Sequence, residues 1–418
     1  MQKIRNKIVF FLWPKKLPQQ KSINAYICKT YYFISNLVLS PIGVIFYLLN
    51  IRFIAGTTMR QIGDISHLDF LIKENLIDSS RYKFICFYDE AFHANPYLLK
   101  LYSKYLIFVE SLFLKFILMP VSQIKFIQIN ITRHDVNCKK CDRGKIARNY
   151  NLLSSNPLVK IPNKDKLACQ AQLLKHFNLK GEFVCLHARE SGYMNNRYID
   201  ANRTTRNADI NSYDLVIDKL IDKGYKVIRL GDISMKKANF FTKKHNGKFI
   251  DYAHSDIKSP MMDAYLLSNC KFLIACSSGP SDISTIFNVN TLLVNGYPMV
   301  DCLRCVDGDL STFKKIVRIK TNEPLPFEQL FQEPWSSPLQ HSELEKLGYK
   351  LLDNSRHELQ AALQDFLDIQ ESGDKERYSL DIQPLLKKHH FSYQAAGNIS
   401  RSFIDKYQSS QKHTQTSD

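Results

Sequence analysis

Phe183-Val184-Cys185-Leu186-His187-Ala188-Arg189-Glu190-Ser191-Gly192-Tyr193 begins as a short apolar run and breaks, after Leu186, into charged, small and aromatic residues. The first five residues, 183–187, read as a strand buried on both faces, and the rest as the loop leaving its carboxyl end. Outward from this point the apolar runs alternate between strand length and helix length. A helix over 166–177 precedes it; a helix over 212–222, closed by Lys223-Gly224, follows, and then a strand over 226–230 that ends in Gly231-Asp232. A strand at 248–251, a helix at 261–268, a strand at 271–276, a helix at 281–287 and a strand at 291–294 continue the series. Strands separated by helices in this way predict a doubly wound, Rossmann-like parallel sheet.

A chain of 418 residues is longer than one hydrophobic core organises, so a second lobe is expected. Strands at 52–55, 83–88 and 125–129, with an apolar helical stretch over 96–119 between them, predict a first α/β lobe over 51–165. The irregular segment 137–166 reads as the connection, and 166–322 as the second lobe. The region 323–408 turns polar and helical, as at 357–370, and 409–418 reads as a disordered polar tail. The fold class is thus α/β, with two Rossmann-like lobes facing a cleft, a basic amphipathic N-terminal segment over 1–50 and a helical C-terminal region.

The net charge of +17 is concentrated near the start: residues 1–60 hold nine Lys and Arg and no Asp or Glu. Basic residues interleaved with aromatics, as in Lys7-Ile8-Val9-Phe10-Phe11-Leu12-Trp13-Pro14-Lys15-Lys16, suit an anionic membrane surface. Nucleic acid is the other partner a basic chain suggests, but no helix-turn-helix, zinc-finger or RNA-platform signature accompanies the charge. Residues 30–51 carry no charge, yet Ser35, Asn36, Ser40, Pro41, Gly43 and Asn50 interrupt them, so a half-buried or surface-lying helix is expected rather than a membrane span. Pro14-Lys15-Lys16 breaks the first apolar run too early for a cleaved signal peptide. Ten irregularly spaced cysteines, several inside apolar runs, point to reduced thiols and a cytoplasmic protein peripheral on the inner membrane. Cys138/Cys141 and Cys302/Cys305 are Cys-x-x-Cys pairs that read as unlinked surface thiols, with a zinc or redox pair as the alternative.

In open α/β sheets ligands collect at the carboxyl ends of the strands. His187 and Arg189 leave the first strand of the second lobe two residues apart, and a guanidinium there can grip a diphosphate bidentately; a structural Arg–Glu pair with Glu190 is the plainer reading. Ser277, Ser278, Gly279 and Ser281 lead into a helix whose amide groups suit a phosphate, although ordinary N-capping explains the same residues. Gly231 permits close approach of a ligand and Asp232 can accept a ribose or base donor, with a tight turn as the alternative. The loop 195–210 is dense in Asn, Arg, Asp and Tyr; Arg206, Asn207 and Asp209 are its binding candidates, or simply caps of the helix that follows. In the first lobe Asp64 or His67 can serve as general base for an acceptor hydroxyl, and Asp89 and Glu90 are weaker candidates of the same kind.

The stretch 183–232 resembles a group of bacterial glycosyltransferases met mostly beside surface-polysaccharide genes. Its members share Cys-Leu-His-x-Arg-(Asp/Glu)-Ser-Gly-Tyr, here Cys185 to Tyr193. They also share Arg-Asn-(Ala/Pro)-Asp-Ile with a following Tyr, here 206–210 and Tyr213, and Val-Ile-Arg-(Leu/Met)-Gly-Asp, here 227–232. Ile62-Gly63-Asp64-Ile65-Ser66-His67 looks like the group's Ile-Gly-His segment with its His displaced, and 277–281 like its Ser/Gly-rich donor loop. More remotely, His187-x-Arg189 is similar to the His-x-Arg element of GT-B fucosyltransferases, whose Arg meets the donor pyrophosphate and which work without a metal. The resemblance implies a GT-B glycosyltransferase with no metal or other cofactor, its partners a nucleotide sugar and a saccharide or lipid-linked acceptor. It makes Arg189 the residue that stabilises the departing nucleoside diphosphate, and Glu190, Asp209 and His67 the residues to test as base. A different phosphate-handling transferase, or a non-catalytic membrane scaffold of polysaccharide assembly, are the alternatives.

Overall fold

The computed structural model describes residues 23–55, 59, 61–78, 81–90, 93–130, 150, 156–190 and 201–415. The chain divides into two compact units, Met1–Arg133 and His134–Asp418. Each is mixed α/β and built on a largely parallel sheet.

In the first unit, helix α1 (Ile23–Leu48) leads into strand β1 (Ile51–Ala55). Helix α2 (Asp64–Ile77), strand β2 (Lys83–Phe87), helix α3 (Pro96–Lys100), strand β3 (Leu106–Val109), helix α4 (Leu112–Val121) and strand β4 (Gln128–Asn130) follow. All pairings are parallel, in the order β3-β2-β1-β4. The expected helical stretch over 96–119 is corrected here, because it contains β3 between two helices. Leu106-Ile107-Phe108-Val109 is too short an apolar run for its period to separate strand from helix, and Ser111 restarts the helix by accepting from the Leu114 amide. Phe53, Ile85, Phe87, Val109, Met119, Val121 and Ile127 form the core of this unit, with Leu39 and Phe46 of α1 packed against it. The surface-lying helix expected over 30–51 is α1, and among the described residues no helix is long and apolar enough to cross a membrane.

A buried polar triad pins α2. Asp69 and Lys73, one helical turn apart, lie 3.0 Å from each other with almost no exposure, and the Tyr102 hydroxyl donates to Asp69 at 2.8 Å. Burial and the neighbouring carboxylate push the Tyr102 phenol well above its ordinary range, so it stays a donor.

The second unit carries helix α5 (Asn163–Phe177), strand β5 (Phe183–His187), helix α6 (Asp214–Asp222), strand β6 (Lys226–Arg229), helix α7 (Asn239–His245) and strand β7 (Phe249–Ile250). Helix α8 (Pro260–Asn269), strand β8 (Leu273–Ala275), helix α9 (Gly279–Ile286), strand β9 (Thr291–Gly296) and strand β10 (Leu310–Phe313) continue it. Helix α6 buries Val216, Ile217, Leu220 and Ile221 along one stripe and is closed by Gly224 at φ 91. The strands β5 to β10 lie in the order β7-β6-β5-β8-β9-β10. Numbered from the first, that is 3-2-1-4-5-6, the order of dinucleotide-binding sheets, and it reverses between β5 and β8.

Beyond β10 the chain does more than turn helical. Strand β11 (Lys315–Arg318), helix α10 (His341–Lys346) and strand β12 (Tyr349–Leu352) form a small antiparallel appendage. Helix α11 (Arg356–Ser372) starts with a capping box, in which Ser355 N donates to Glu358 at 2.7 Å and Glu358 N to the Ser355 hydroxyl at 3.3 Å. Its buried face meets the sheet core through Phe366, 5.1 Å from Phe272. Helix α12 (Lys375–Tyr378) and strand β13 (Ser379–Leu380) precede strand β14 (Asn398–Ser400), which pairs parallel with β10, while β13 closes the edge antiparallel. Of the disordered tail expected over 409–418, residues 409–415 belong to helix α13 (Arg401–Gln415), and 416–418 lie outside the described residues. Asp365 of α11 anchors the start of α13, accepting from the Ser402 amide at 2.9 Å and from the Ser400 and Ser402 hydroxyls at 2.7 Å each.

Removing the Asp69 carboxylate takes away the group that answers both Lys73 and Tyr102. We expect Asp69→Ala to cost the first unit about 3 kcal/mol, and Asp69→Asn less because its amide oxygen still accepts from Tyr102. Hydrogen exchange of the α2 amides under increasing urea checks this, since the loss should appear there and not in the second unit.

Candidate functional site

The reversal of strand order between β5 and β8 leaves the carboxyl ends of these neighbours facing different connections, which is where such sheets bind ligands. From β5 the chain continues through His187, Ala188 and Arg189; from β8 it continues through Cys276 into the turn that starts α9. Two backbone links join the two ends. The Cys276 amide donates to the His187 carbonyl at 3.2 Å, and the Arg189 amide donates to the Cys276 sulfur at 3.0 Å. The Arg189 carbonyl in turn accepts from the Ala208 amide at 2.9 Å, and its guanidinium donates to the Asn207 side chain at 3.2 Å. Arg189 is therefore held by its backbone on both sides and keeps a half-buried guanidinium at the switch point.

Lys314 and the segment that carries Arg206 meet Arg189 here through Asn207. Burial raises the Cys276 thiol, while the Arg189 amide and the charges of Arg189, Lys314 and Arg206 act the other way. Lys314 stands just past the end of β10 with its side chain 4% exposed; its ammonium donates to the Asn207 carbonyl and pairs with Asp353 at 2.7 Å. No reading of the sequence singled Lys314 out. Its signal is the Lys-Lys pair that follows Leu310-Ser311-Thr312-Phe313, which is visible only once those four residues are seen to be a strand. A buried amide network lies close behind: Asn295 and Asn354 exchange bonds of 2.8 and 2.6 Å, Thr312 donates to Asn354, and Asn295 donates to the Tyr213 hydroxyl. It ties the ends of β9 and β10 to the segment that carries Asn207.

His187 and Glu190 belong to the walls. The His187 ring sits 3.1 Å from the Leu230 carbonyl through Nδ1. A carbonyl only accepts, so the proton is on Nδ1 and the lone pair on Nε2. Burial pushes this imidazole down to about 4, with the charges of Arg229, Arg189 and Lys258 acting in the same direction. Glu190 faces Arg229, a guanidinium with no exposed side-chain surface: Arg229 pairs with Glu190 at 2.8 Å and with Asp251 at 3.2 Å and donates to the Lys236 carbonyl at 2.7 Å. The second Glu190 oxygen accepts from the Lys236 amide at 2.8 Å. The structural Arg–Glu pair weighed for this motif exists, but its arginine is Arg229 and not Arg189.

Several sequence-read roles are redirected by these contacts. The close approach that Gly231 permits is that of Met235, whose sulfur lies 2.2 Å from where a Cβ would stand. Asp232 accepts from the Ser234 amide at 3.0 Å, so this pair forms the tight turn. Ser281 is fully buried and works inward: its hydroxyl meets the Ser278 amide at 3.2 Å and accepts from Arg304, which also pairs with Asp282 at 2.8 Å. Ser277 and Gly279, both half-buried, remain at the mouth of the turn beside the start of α9. Asp209 caps the short helix Ile210–Tyr213 through one oxygen, which accepts from the amide and side chain of Asn211 at 3.0 Å each, and the residue is exposed. His67 lies in the first unit, in the first turn of α2, with Nδ1 buried. In the same unit Asp89 pairs with the buried Lys115.

Cys302 and Cys305 are buried, which corrects the expectation of surface thiols. The Cys302 thiol donates to the Pro298 carbonyl at 3.2 Å, and burial raises it well above the ordinary thiol range. Cys138, Cys141 and the block residues Ser191, Gly192 and Tyr193 lie outside the described residues, as does the loop 195–200. Among the described residues no group of three or more His, Cys, Asp or Glu is placed to hold a metal ion.

No family model matches the chain and no curated protein matches it. Among solved structures it is similar to an ADP-heptose LPS heptosyltransferase II of E. coli (11% identity, TM-score 0.40, covering 77% of this chain and 99% of that one). It is also similar to the E. coli heptosyltransferase WaaC with ADP (11% identity, TM-score 0.34, 63% and 90%). A third is TibC, an iron-containing dodecameric glycosyltransferase of enterotoxigenic E. coli (11% identity, TM-score 0.33), of whose length the match spans 58%, against 60% of this chain. Likeness at this level carries no argument about activity and leaves the function to the site itself.

Proposed function

We propose that the chain is a glycosyltransferase that moves a sugar from a nucleotide-sugar donor to a saccharide or lipid-linked acceptor in bacterial surface-polysaccharide synthesis. The observation that carries this reading is that Arg189 and Lys314 meet on Asn207, the chain neighbour of Arg206, at the switch point of a sheet with dinucleotide-binding order. A diphosphate is the ligand that such a place suits: the sheet directs it to the β5/β8 crevice, and fixed cations answer its charge. The resemblance of 183–232 to bacterial glycosyltransferases narrows the diphosphate to that of a nucleotide sugar.

In the reaction the acceptor oxygen forms a bond to the anomeric carbon, the bond from that carbon to the diphosphate oxygen breaks, and the acceptor proton passes to a base. Charge accumulates on the departing diphosphate, and Arg189 is pre-placed to meet it because its backbone is fixed by Cys276 and Ala208. Lys314 adds charge and holds the Asn207 carbonyl, so it also positions the segment that orients Arg189. Glu190 and Asp251 are committed to Arg229, which favours Asp209 over Glu190 as the base in this unit. His187 stays neutral at physiological pH and adds no charge to the donor site.

The reading is tested by thermal unfolding of the purified chain against nucleoside diphosphates and nucleotide sugars. A donor at a hundred times its dissociation constant adds about 2.7 kcal/mol. The shift should appear for one nucleotide and weaken about a hundredfold in affinity for Arg189→Ala, the loss of a charge-assisted bidentate contact. Transfer from ATP with no response to any nucleotide sugar would replace this reading with a phosphate-handling transferase.

The His187 ring should remain neutral at pH 5 and take its proton near pH 4, read from its ring resonances. Because the folded value is depressed, stability is complete above about pH 6.5, where the unfolded ring loses its proton. It declines as pH falls from there to about 4. His187→Gln removes that part of the slope in urea titrations run at pH 7 and pH 5.

A further inference from the structure

Helix α4 is built inside out. Its one charged residue, Lys115, points inward and pairs with Asp89, both nearly without exposure, while Phe113, Leu114 and Phe116 face outward, Phe113 with 71% of its surface exposed. A helix on an ordinary water-facing surface does the reverse. Helix α1, which packs against α4, shows the same excess. Among the described side chains of α1, Leu39, Gly43 and Phe46, spaced four and three residues apart, turn toward the unit. Phe33, Ile34, Leu37, Val38, Ile42 and Ile45 of the same helix are exposed.

The turn that follows α4 makes a further apolar contact with α1. Tyr47 of α1 meets Phe126 edge-on at 5.7 Å, both rings about half exposed, and Lys125 stands exposed beside them. Large apolar side chains exposed together on two packed helices mark a site of attachment rather than a water-facing wall.

We propose that this α1/α4 face docks on an anionic lipid bilayer, with Phe113, Phe116 and the outer side chains of α1 entering the headgroup boundary. Charge decides between lipid and a second copy of the chain. The 29 residues up to and including Lys29 hold seven Lys and Arg and no acidic residue, and 30–51 hold no charge at all. A second copy would bring the same uncompensated cations against each other, whereas anionic headgroups answer them. No described helix is long and apolar enough to cross a membrane, so the proposed attachment is by this apolar face lying on the bilayer, with the cations of the preceding sequence answering its headgroups. The surface belongs to the first unit and its assignment is independent of the nucleotide site.

The test is flotation of the full chain with vesicles of phosphatidylglycerol and phosphatidylethanolamine, beside vesicles of phosphatidylcholine alone. The Phe113→Ser/Phe116→Ser double variant, changed only at exposed positions, is compared after its melting temperature and sedimentation are shown to match the parent. We expect binding to the anionic vesicles, at least tenfold weaker binding for the double variant, and weakening of both by salt. Equal binding of parent and variant would overturn the proposal. So would a parent that ignores both vesicle types, or one that sediments as a dimer which the double variant dissociates without any change in lipid binding.

Discussion

A guanidinium without exposed surface must be answered inside the protein, and the way Arg229 is answered organises the candidate site. Its partners come from three separate connections: Glu190 after β5, Lys236 after β6 and Asp251 after β7. Any one of them withdrawn would leave charge buried without its counterpart, a far larger penalty than a surface pair incurs. The loops after three adjacent strands are thereby locked to a single centre. Arg189 inherits its position from this arrangement, since its neighbour Glu190 cannot move without breaking the network.

The cations that face the crevice are held differently from the one that builds the wall. Arg229 is enclosed by carboxylates and spent on structure, while the Arg189 backbone is fixed by Cys276 and Ala208 and its guanidinium donates to Asn207. Lys314 pairs with the partly exposed Asp353 and donates to the Asn207 carbonyl.

Much of the second unit was legible in the sequence because its long-period signals are strong. The strands 183–187 and 226–230, the helix 212–222 and the helix after Ser281 lie where their apolar runs and turn residues place them. The four-residue and three-residue strands Leu310–Phe313 and Asn398–Ser400 were not legible, since Leu-Ser-Thr-Phe and Asn-Ile-Ser are too short and too polar to show a period. With β10 unread, Lys314 had no strand end to stand at. The first unit failed for a related reason: the four-residue run Leu106–Val109 is too short for its period to distinguish a strand from the helices on either side of it. Sequence also named Arg189 and Glu190 together but could not show that their partners differ, because Asn207 and Arg229 are brought there only by the fold.

Strand β14 gives the second unit an unusual order of assembly. The edge of β10 that it covers is made by residues 310–313, yet the covering residues 398–400 are synthesised some 80 positions later. At about 5–20 residues per second, that edge waits several seconds for its natural neighbour after its own strand has been made. An open parallel edge is a template for foreign strands during such an interval. Helix α11, encoded in between, is available sooner and covers part of the sheet first. Biogenesis of this unit therefore resembles closing a clasp: the nucleotide-binding order of strands is laid down early, and a short segment from far downstream seals it.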